Sequence, residues 1–159
     1  MTLAMAFISM MVIAGCTKEC EECDILNDNH QLEEFLGTYD LAITYTTEVN
    51  GEVGEGTSEL HGTLSIRQQE DPEVVEVIGV VNISGQEVTF YSTLGYLNQY
   101  GQLQLEPSTY INPNSGLAAD ITYEPIIKQT PLLFRSELNA VVSGMVVTYN
   151  MENTCNKID

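Results

Sequence analysis

After residue 36, apolar side chains recur at every second position, which is the pattern of a half-buried β-strand. The first such stretch begins at Gly37, where polar residues alternate with Tyr39, Leu41, Ile43 and Tyr45. The same alternation predicts further strands at 60–67, 73–83, 86–93, 102–106, 117–123, 132–138 and 144–151. Because no helical period of comparable strength follows residue 36, the sequence predicts an all-β domain of about eight strands.

Turn signals separate these strands at short intervals. Asn50-Gly51 lies in a glycine-rich stretch at 49–57, and Ser84-Gly85 separates two apolar runs by two residues. Residues 107–116 contain two prolines and are predicted to form a loop, while Gly79 inside a strand indicates a bend or bulge. Hairpin-length connections favour a small antiparallel up-and-down β-barrel, whose first and last strands are neighbours; the alternative is a β-sandwich.

The predicted inward-facing residues are large. Eight strands enclose an interior that is either filled by side chains or just able to hold one small ligand. Large side chains therefore favour a filled core or a shallow cavity, and they are Tyr39, Leu41, Ile43, Tyr45, Leu64, Ile66, Phe90, Leu103 and Leu105.

The N-terminal segment has a different pattern. Residues 3–15 are uncharged and mostly apolar, but they fall short of the roughly 20 residues that span a bilayer. Their end, Ile13-Ala14-Gly15-Cys16, resembles the lipobox of bacterial lipoproteins. The resemblance implies a signal peptide at 1–15, a lipid on Cys16 and a membrane anchor in the cell envelope, although residues 1–4 lack the usual Lys or Arg.

An acidic segment follows the lipobox. Residues 17–34 contain seven acidic side chains without an apolar period, which predicts a flexible tether. Lys18-Glu19 and Glu21-Glu22 are similar to the surface-export signal of Bacteroidota lipoproteins, which implies the outer membrane and the cell surface; a solvated linker facing the periplasm is the alternative. The predicted organisation is signal peptide 1–15, tether 16–34, barrel 35–152 and C-terminal tail 153–159.

Charge and motifs narrow the function. The net charge of −18 argues against nucleic acid and against anionic lipid as partners, because both need clustered Lys and Arg. The sequence contains no Gly-X-Ser-X-Gly, no phosphate-binding glycine loop and no His-Glu-X-X-His, so we expect no catalysis and no cofactor. We also expect no metal, although Cys20, Cys23, His30 and Cys155 have the ligand types of a zinc site.

The beginning of the first strand carries a second resemblance. A possible helical turn at 32–36 leads into Gly37-Thr38-Tyr39, which looks like the Gly-X-Trp start of lipocalin-like domains with Tyr in place of Trp. The resemblance implies a ligand-binding barrel, and Arg135 is the candidate for the arginine that packs over that aromatic ring.

Four of the eight tyrosines lie within twenty residues. Tyr91, Tyr96, Tyr100 and Tyr110, with Asn112 nearby, are candidates for a binding rim, because tyrosine has an apolar ring and a polar tip. Cross-strand aromatic pairing inside the sheet is the alternative. We therefore expect a non-catalytic binding module for a small apolar ligand or a glycan; the alternative is a structural, protein-binding lipoprotein with a filled barrel.

The remaining cysteines generate a first prediction. Cys155 is expected to pair with Cys23 or Cys20, because the two chain ends approach each other in a closed barrel. Peptide mapping without reduction, on protein from an oxidising compartment, should yield a peptide that joins Cys155 to one of these residues. Recovery of Cys155 as a free thiol would contradict the pairing.

Overall fold

A computed structural model describes residues 31–158. The predictions on Cys16, Cys20 and Cys23, and those on residues 1–30 in general, lie outside this range. Within residues 31–158, no helix has the length and apolar character needed to cross a membrane.

The described chain is almost entirely β-structure. Residues 31–33 are helical and are followed by ten strands. These are β1 (Gly37–Val49), β2 (Glu52–Val53), β3 (Ser58–Gln68), β4 (Val74–Ile83), β5 (Gln86–Leu97), β6 (Leu103–Leu105), β7 (Ser108–Ile111), β8 (Ala118–Tyr123), β9 (Leu132–Val142) and β10 (Met145–Lys157). The predicted all-β class is confirmed.

The strands form one antiparallel sheet that curls into a half-barrel. The order is β6-β5-β4-β3-β1-β10-β9-β8-β7, with the short β2 paired to β1. Each main strand therefore lies beside its sequence neighbour, and β10 returns to pair with β1 from Tyr39↔Lys157 to Val49↔Val147. The sheet is interrupted between its edge strands β6 and β7, and Leu103 of β6 forms a single bridge to Ile126 in the connection between β8 and β9.

Three tight turns define one end of the barrel. Asn50-Gly51, Ser84-Gly85 and Ser143-Gly144 all have positive φ at both residues, as a two-residue type I′ hairpin requires. The β7–β8 loop at 112–117 lies at the same end, which we call the open end. Residues 31–36 and the connections at 98–102 and 124–131 lie at the opposite end, which we call the closed end.

Two boundaries differ from the sequence-based prediction. The predicted loop 107–116 contains β7, whose Ser-Thr-Tyr-Ile sequence pairs with β8 in spite of prolines on both sides. The last strand continues to Lys157, so most of the predicted tail 153–159 belongs to the barrel. Asn153 obscures the alternation there, because a polar residue occupies an inward-facing position.

A single core fills most of the interior. The expected inward-facing residues are buried, apart from Tyr45, which is half-buried at the open end. At the closed end, Leu32 and Phe35 cover the barrel, and the Tyr39 hydroxyl donates a hydrogen bond to the Phe35 carbonyl oxygen at 2.7 Å. The helical turn before β1 is thus fixed to the first strand and closes this end.

The cation near Tyr39 is not the predicted one. Lys157 Nζ lies 5.9 Å from the centre of the Tyr39 ring and donates a hydrogen bond to the Leu36 carbonyl oxygen at 2.7 Å. Arg135 instead faces outward and pairs with Glu152 at 3.2 Å. The strand register explains the correction: Lys157 lies directly opposite Tyr39 on β10, whereas Arg135 is on β9 beside Glu152.

A β-bulge changes which side chains of β5 point inward. The β4–β5 register shifts between Gly79 and Val80, so Phe90 is the extra residue and both Phe90 and Tyr91 are buried. Gly79 is needed opposite Tyr91, because a Cβ atom there would lie 2.6 Å from Tyr91 Cδ2. Strict alternation places Tyr91 outside; the bulge that Gly79 permits puts it in the core.

Candidate functional site

The open end of the barrel contains a cavity of about 210 Å³. Side chains from eight strands and the 112–117 loop line it, and nearly all of them are apolar. The lining consists of Tyr45, Leu60, Ile83, Phe90, Tyr110, Asn112, Leu117, Ala118, Ala119, Leu138, Ala140, Val142, Tyr149 and Met151. An apolar recess with a few polar tips is the usual form of a ligand site.

Small residues create the space. Ala119 on β8 and Ala140 on β9 lie directly opposite each other in the ladder, and Ala118 is the next residue on β8. Elsewhere the core consists mostly of larger side chains such as Leu, Ile, Val, Phe and Tyr, so it is filled below this level. The cavity is therefore confined to the open end, which is the mouth of the barrel.

Aromatic pairs form two of its walls. The Tyr45 and Tyr149 rings lie 5.8 Å apart in an edge-to-face arrangement on β1 and β10. Phe90 and Tyr110 lie 5.0 Å apart and close the interrupted side of the sheet, between β5 and β7. Aromatic rings in such contact pack firmly, so we expect these walls to hold their shape without an occupant.

Below the cavity lies a buried polar network. The Tyr91 hydroxyl donates a hydrogen bond to Asn153 Oδ1 at 2.7 Å and lies 3.0 Å from Ser136 Oγ. Asn153 Nδ2 donates to Ser136 Oγ at 2.9 Å and to the Phe134 carbonyl oxygen at 3.2 Å. Every buried side-chain nitrogen and oxygen in the described residues has a partner, so this network is complete.

Burial raises the pKa of the tyrosines around this network. Desolvation raises the pKa of Tyr91 well above its usual 10 and outweighs the hydrogen bonds from Ser136 and Asn153, which lower it. Desolvation also raises the pKa of Tyr123 to about 12, against a hydrogen bond with Ser108. Both hydroxyls are therefore neutral at physiological pH and act as hydrogen-bonding groups rather than as acids or bases.

The open end also carries exposed apolar side chains. Seven exposed apolar side chains lie at the open end, on the strand ends and loops beside the hairpin turns. We call this set the mouth rim: Val49, Val53, Ile111, Leu117, Val141, Met145 and Val146. The most exposed are Val53, Val141 and Ile111, at 69%, 65% and 63%.

The structure divides the predicted tyrosine cluster. Tyr110 lines the mouth cavity, while Tyr91 lies in the core beneath it. Tyr96 and Tyr100 are exposed at the closed end, at 44% and 75%. Since β5 runs toward the closed end and β7 returns toward the open end, residues that are close in sequence reach opposite ends.

Asn112 borders the cavity, but its side chain has a structural task. Its Oδ1 accepts hydrogen bonds from the backbone N–H groups of Asn114 and Ser115, at 2.9 and 3.1 Å. Its backbone N–H donates to the Leu117 carbonyl oxygen at 2.9 Å. Asn112 therefore shapes the loop that carries Leu117 to the mouth.

Two further grooves are open and more polar. One, of about 680 Å³, lies at the closed end beside Tyr96, Tyr100, Gln99 and Glu73. The other, of about 640 Å³, crosses the outer wall of β1, β10, β9 and β8 past Arg135. Among residues 31–158 there is no group of three His, Cys, Asp or Glu residues that could hold a metal ion.

Cys155 lies in the core near the closed end. It has no disulfide partner among residues 31–158, and it is fully buried, opposite Leu41 on β1. Burial raises its pKa to about 12, and the negative charge of Asp40 adds to the effect. Its predicted partners, Cys20 and Cys23, lie outside the described residues, so the pairing stays a prediction.

Sequence reasoning missed the polar network and the alanine pair. Ser136 and Asn153 occupy inward-facing positions in strands whose other inward residues are apolar, and that is the signal that marks them. Ala119 and Ala140 stand out only once the β8–β9 register shows that they oppose each other. No protein-family model, curated protein or solved structure significantly matches this chain.

The network generates a second prediction, on stability. Tyr91→Phe removes the donor to Asn153 Oδ1 and should lower the free energy of unfolding by about 1–3 kcal/mol at neutral pH. The folded-state pKa of Tyr91 lies above the unfolded value of about 10, so the stability it contributes is present below pH 10 and is lost above it. The difference between variant and wild type should therefore shrink as the pH rises beyond 10.

Urea denaturation at neutral and alkaline pH measures both effects. Tyr96→Phe is the matched control, because it removes the same hydroxyl at an exposed position and should change stability by less than about 0.5 kcal/mol. Equal effects of the two substitutions would contradict the assigned role of the network.

Proposed function

We propose that this protein is a lipid-anchored cell-envelope protein whose barrel mouth binds a small apolar ligand without catalysis. The observation that carries the binding proposal is the apolar cavity of about 210 Å³ at the open end. Nothing among the described residues points positively to catalysis. The lipocalin-like resemblance of Gly37-Thr38-Tyr39 is compatible with this function but does not carry it.

The size of the cavity limits the occupant. Typical pockets for drug-sized ligands measure about 300–1,000 Å³, and this cavity is smaller. An apolar cavity of about 150 Å³ accepts benzene. A single ring or a short aliphatic group therefore fits the mouth, whereas a long acyl chain would have to displace the packed side chains beneath it.

The chemistry of the lining favours an apolar group over a sugar. Alanine, leucine, isoleucine, valine and methionine supply most of the lining residues, and the side-chain Oδ1 of Asn112 already accepts hydrogen bonds from two backbone N–H groups. A glycan needs several free hydrogen-bonding partners beside an aromatic face. The predicted tyrosine candidates for glycan stacking are also divided between the two ends of the barrel.

Binding generates a third prediction, with toluene as the probe. Two-dimensional NMR should show saturable shifts at Ala119, Ala140 and Met151 on addition of toluene. Ala140→Phe places a ring in the cavity and should weaken binding by at least about tenfold. Thr63→Phe adds the same ring to an exposed position on the outer wall and should leave binding unchanged.

Circular dichroism of each variant checks that the sheet is retained, and Ala140→Leu supplies a smaller filling residue if the phenylalanine perturbs the fold. Toluene shifts spread over the core, or equal binding by wild type and both filled variants, would rule out the mouth as the site.

The anchor generates a fourth prediction, supported by the Ile13-Ala14-Gly15-Cys16 sequence. Expressed in a bacterium with the lipidation pathway, and with an upstream start restored, the wild-type chain should partition into detergent. Cys16→Ser should remain in the aqueous phase, because a lipid chain contributes roughly 0.8 kcal/mol per buried CH₂ group to membrane binding. Aqueous partitioning of both proteins would refute the anchor and the proposed location together.

A further inference from the structure

The mouth rim is larger than any ligand that the cavity can hold. A single ring would fill the 210 Å³ cavity and leave Val53, Val141 and Val146 exposed to water. Val141 and Val146 are cross-strand partners at the β9–β10 hairpin, and they lie on the outer face beside the opening, because Ala140 and Val142 on either side of Val141 line the cavity. Several exposed apolar side chains beside a pocket are typical of an interaction site.

Charge around the rim has one sign. Glu48, Glu52 and Glu55 lie in and beside the β1–β3 connection, and Glu87 lies beside the β4–β5 turn. The four Lys and Arg residues of the described chain lie elsewhere: Arg67, Lys128 and Lys157 at the closed end, and Arg135 on the outer wall paired with Glu152. Among the described residues, a basic side chain approaching the open end would therefore meet carboxylates and no Lys or Arg.

From the apolar cavity, the exposed rim and this charge distribution, we propose that the mouth docks a basic polypeptide segment that inserts one apolar side chain. The inference rests on the proposed function, because it uses the same cavity. It adds that the apolar group in the cavity is a side chain of a polypeptide. A polypeptide covers both the cavity and the rim, which a small molecule does not. A central anchor side chain in a pocket, surrounded by a wider contact area, is how protein interfaces concentrate their affinity.

Other occupants fit less well. The mouth carboxylates repel an anionic lipid surface, and a second copy of a chain with a net charge of −18 would bring the same carboxylates to the contact. The described chain also enters the barrel at the closed end, where Leu32 and Phe35 are buried, so the mouth is at the end away from the predicted anchor.

Four peptides of equal length test the inference. The first has a central Phe flanked by Lys on both sides, and two others replace the Lys residues with Gln or with Glu. The fourth keeps Lys and replaces Phe with Ser. At low ionic strength, we expect the first peptide to bind full-length protein at least about tenfold more tightly than each of the others. The ratio of its affinity to that of the Gln peptide should fall as salt is added.

Two triple variants locate the charge effect. Glu48→Gln, Glu52→Gln and Glu55→Gln together should reduce the preference for Lys over Gln peptides to less than about threefold. Glu70→Gln, Glu73→Gln and Glu76→Gln change the net charge by the same amount near the closed end and should leave the preference intact. The double variant Val141→Ser, Val146→Ser should bind the first peptide more weakly than the wild type and should bind toluene equally well.

The outcomes separate this inference from the proposed function. If toluene binds at the mouth but Lys and Gln peptides bind equally, the basic partner is excluded and the cavity remains a ligand site. Equal effects of the two triple variants would also overturn the inference, because they would show only a general effect of net charge. Failure of both toluene and the peptides would refute the two proposals together.

Two further measurements show whether a lipid surface or a second copy of the chain binds at the rim instead. Phosphatidylcholine vesicles that retain the wild type but release Val141→Ser with Val146→Ser would assign the rim to a lipid surface. A dimer in solution that the same pair of substitutions dissociates would assign it to a second copy. Either result would overturn the inference.

Discussion

The pairing of the first strand with the last is the interaction on which the rest of this fold depends. β1 forms ladders with β3 on one side and with β10 on the other, and the β10 ladder runs from Tyr39↔Lys157 to Val49↔Val147. This contact joins two meanders, β1 to β6 and β7 to β10, into one curved sheet. Without it, each meander would expose its inward-facing side chains to water. The core, the closed end and the mouth all follow from that long-range ladder.

The packing of the barrel interior differs along the barrel axis, and this difference places the cavity at the mouth. Leu32 and Phe35 seal the closed end, and large aliphatic residues fill the lower interior. At mid-height, Tyr91, Ser136 and Asn153 satisfy one another's hydrogen bonds, so polar atoms are buried without an unmet partner. Above them the side chains shrink to alanine on β8 and β9 and leave the mouth open. A filled interior and an open cavity are therefore not alternatives here, since the protein has one above the other.

The bulge on β5 shows how a single glycine changes which side chains of a neighbouring strand face the core. Gly79 leaves room for the Tyr91 ring, the register shifts by one residue, and Phe90 and Tyr91 both turn inward. Phe90 then forms a cavity wall with Tyr110, and Tyr91 reaches Asn153 beneath it. The glycine that the sequence marks as a bend thus decides the composition of the mouth and of its floor.

Period-two alternation and turn dipeptides determined the fold class, most strands and two of the three tight hairpin turns, because these signals are local. Asn50-Gly51 and Ser84-Gly85 adopt positive φ for reasons internal to two residues. Only the tertiary structure decided that Tyr96 and Tyr110 lie at opposite ends, that Lys157 rather than Arg135 approaches Tyr39, and that Ala119 opposes Ala140. Those facts depend on register between strands far apart in sequence, and a one-residue change of register moves every side chain to the other face.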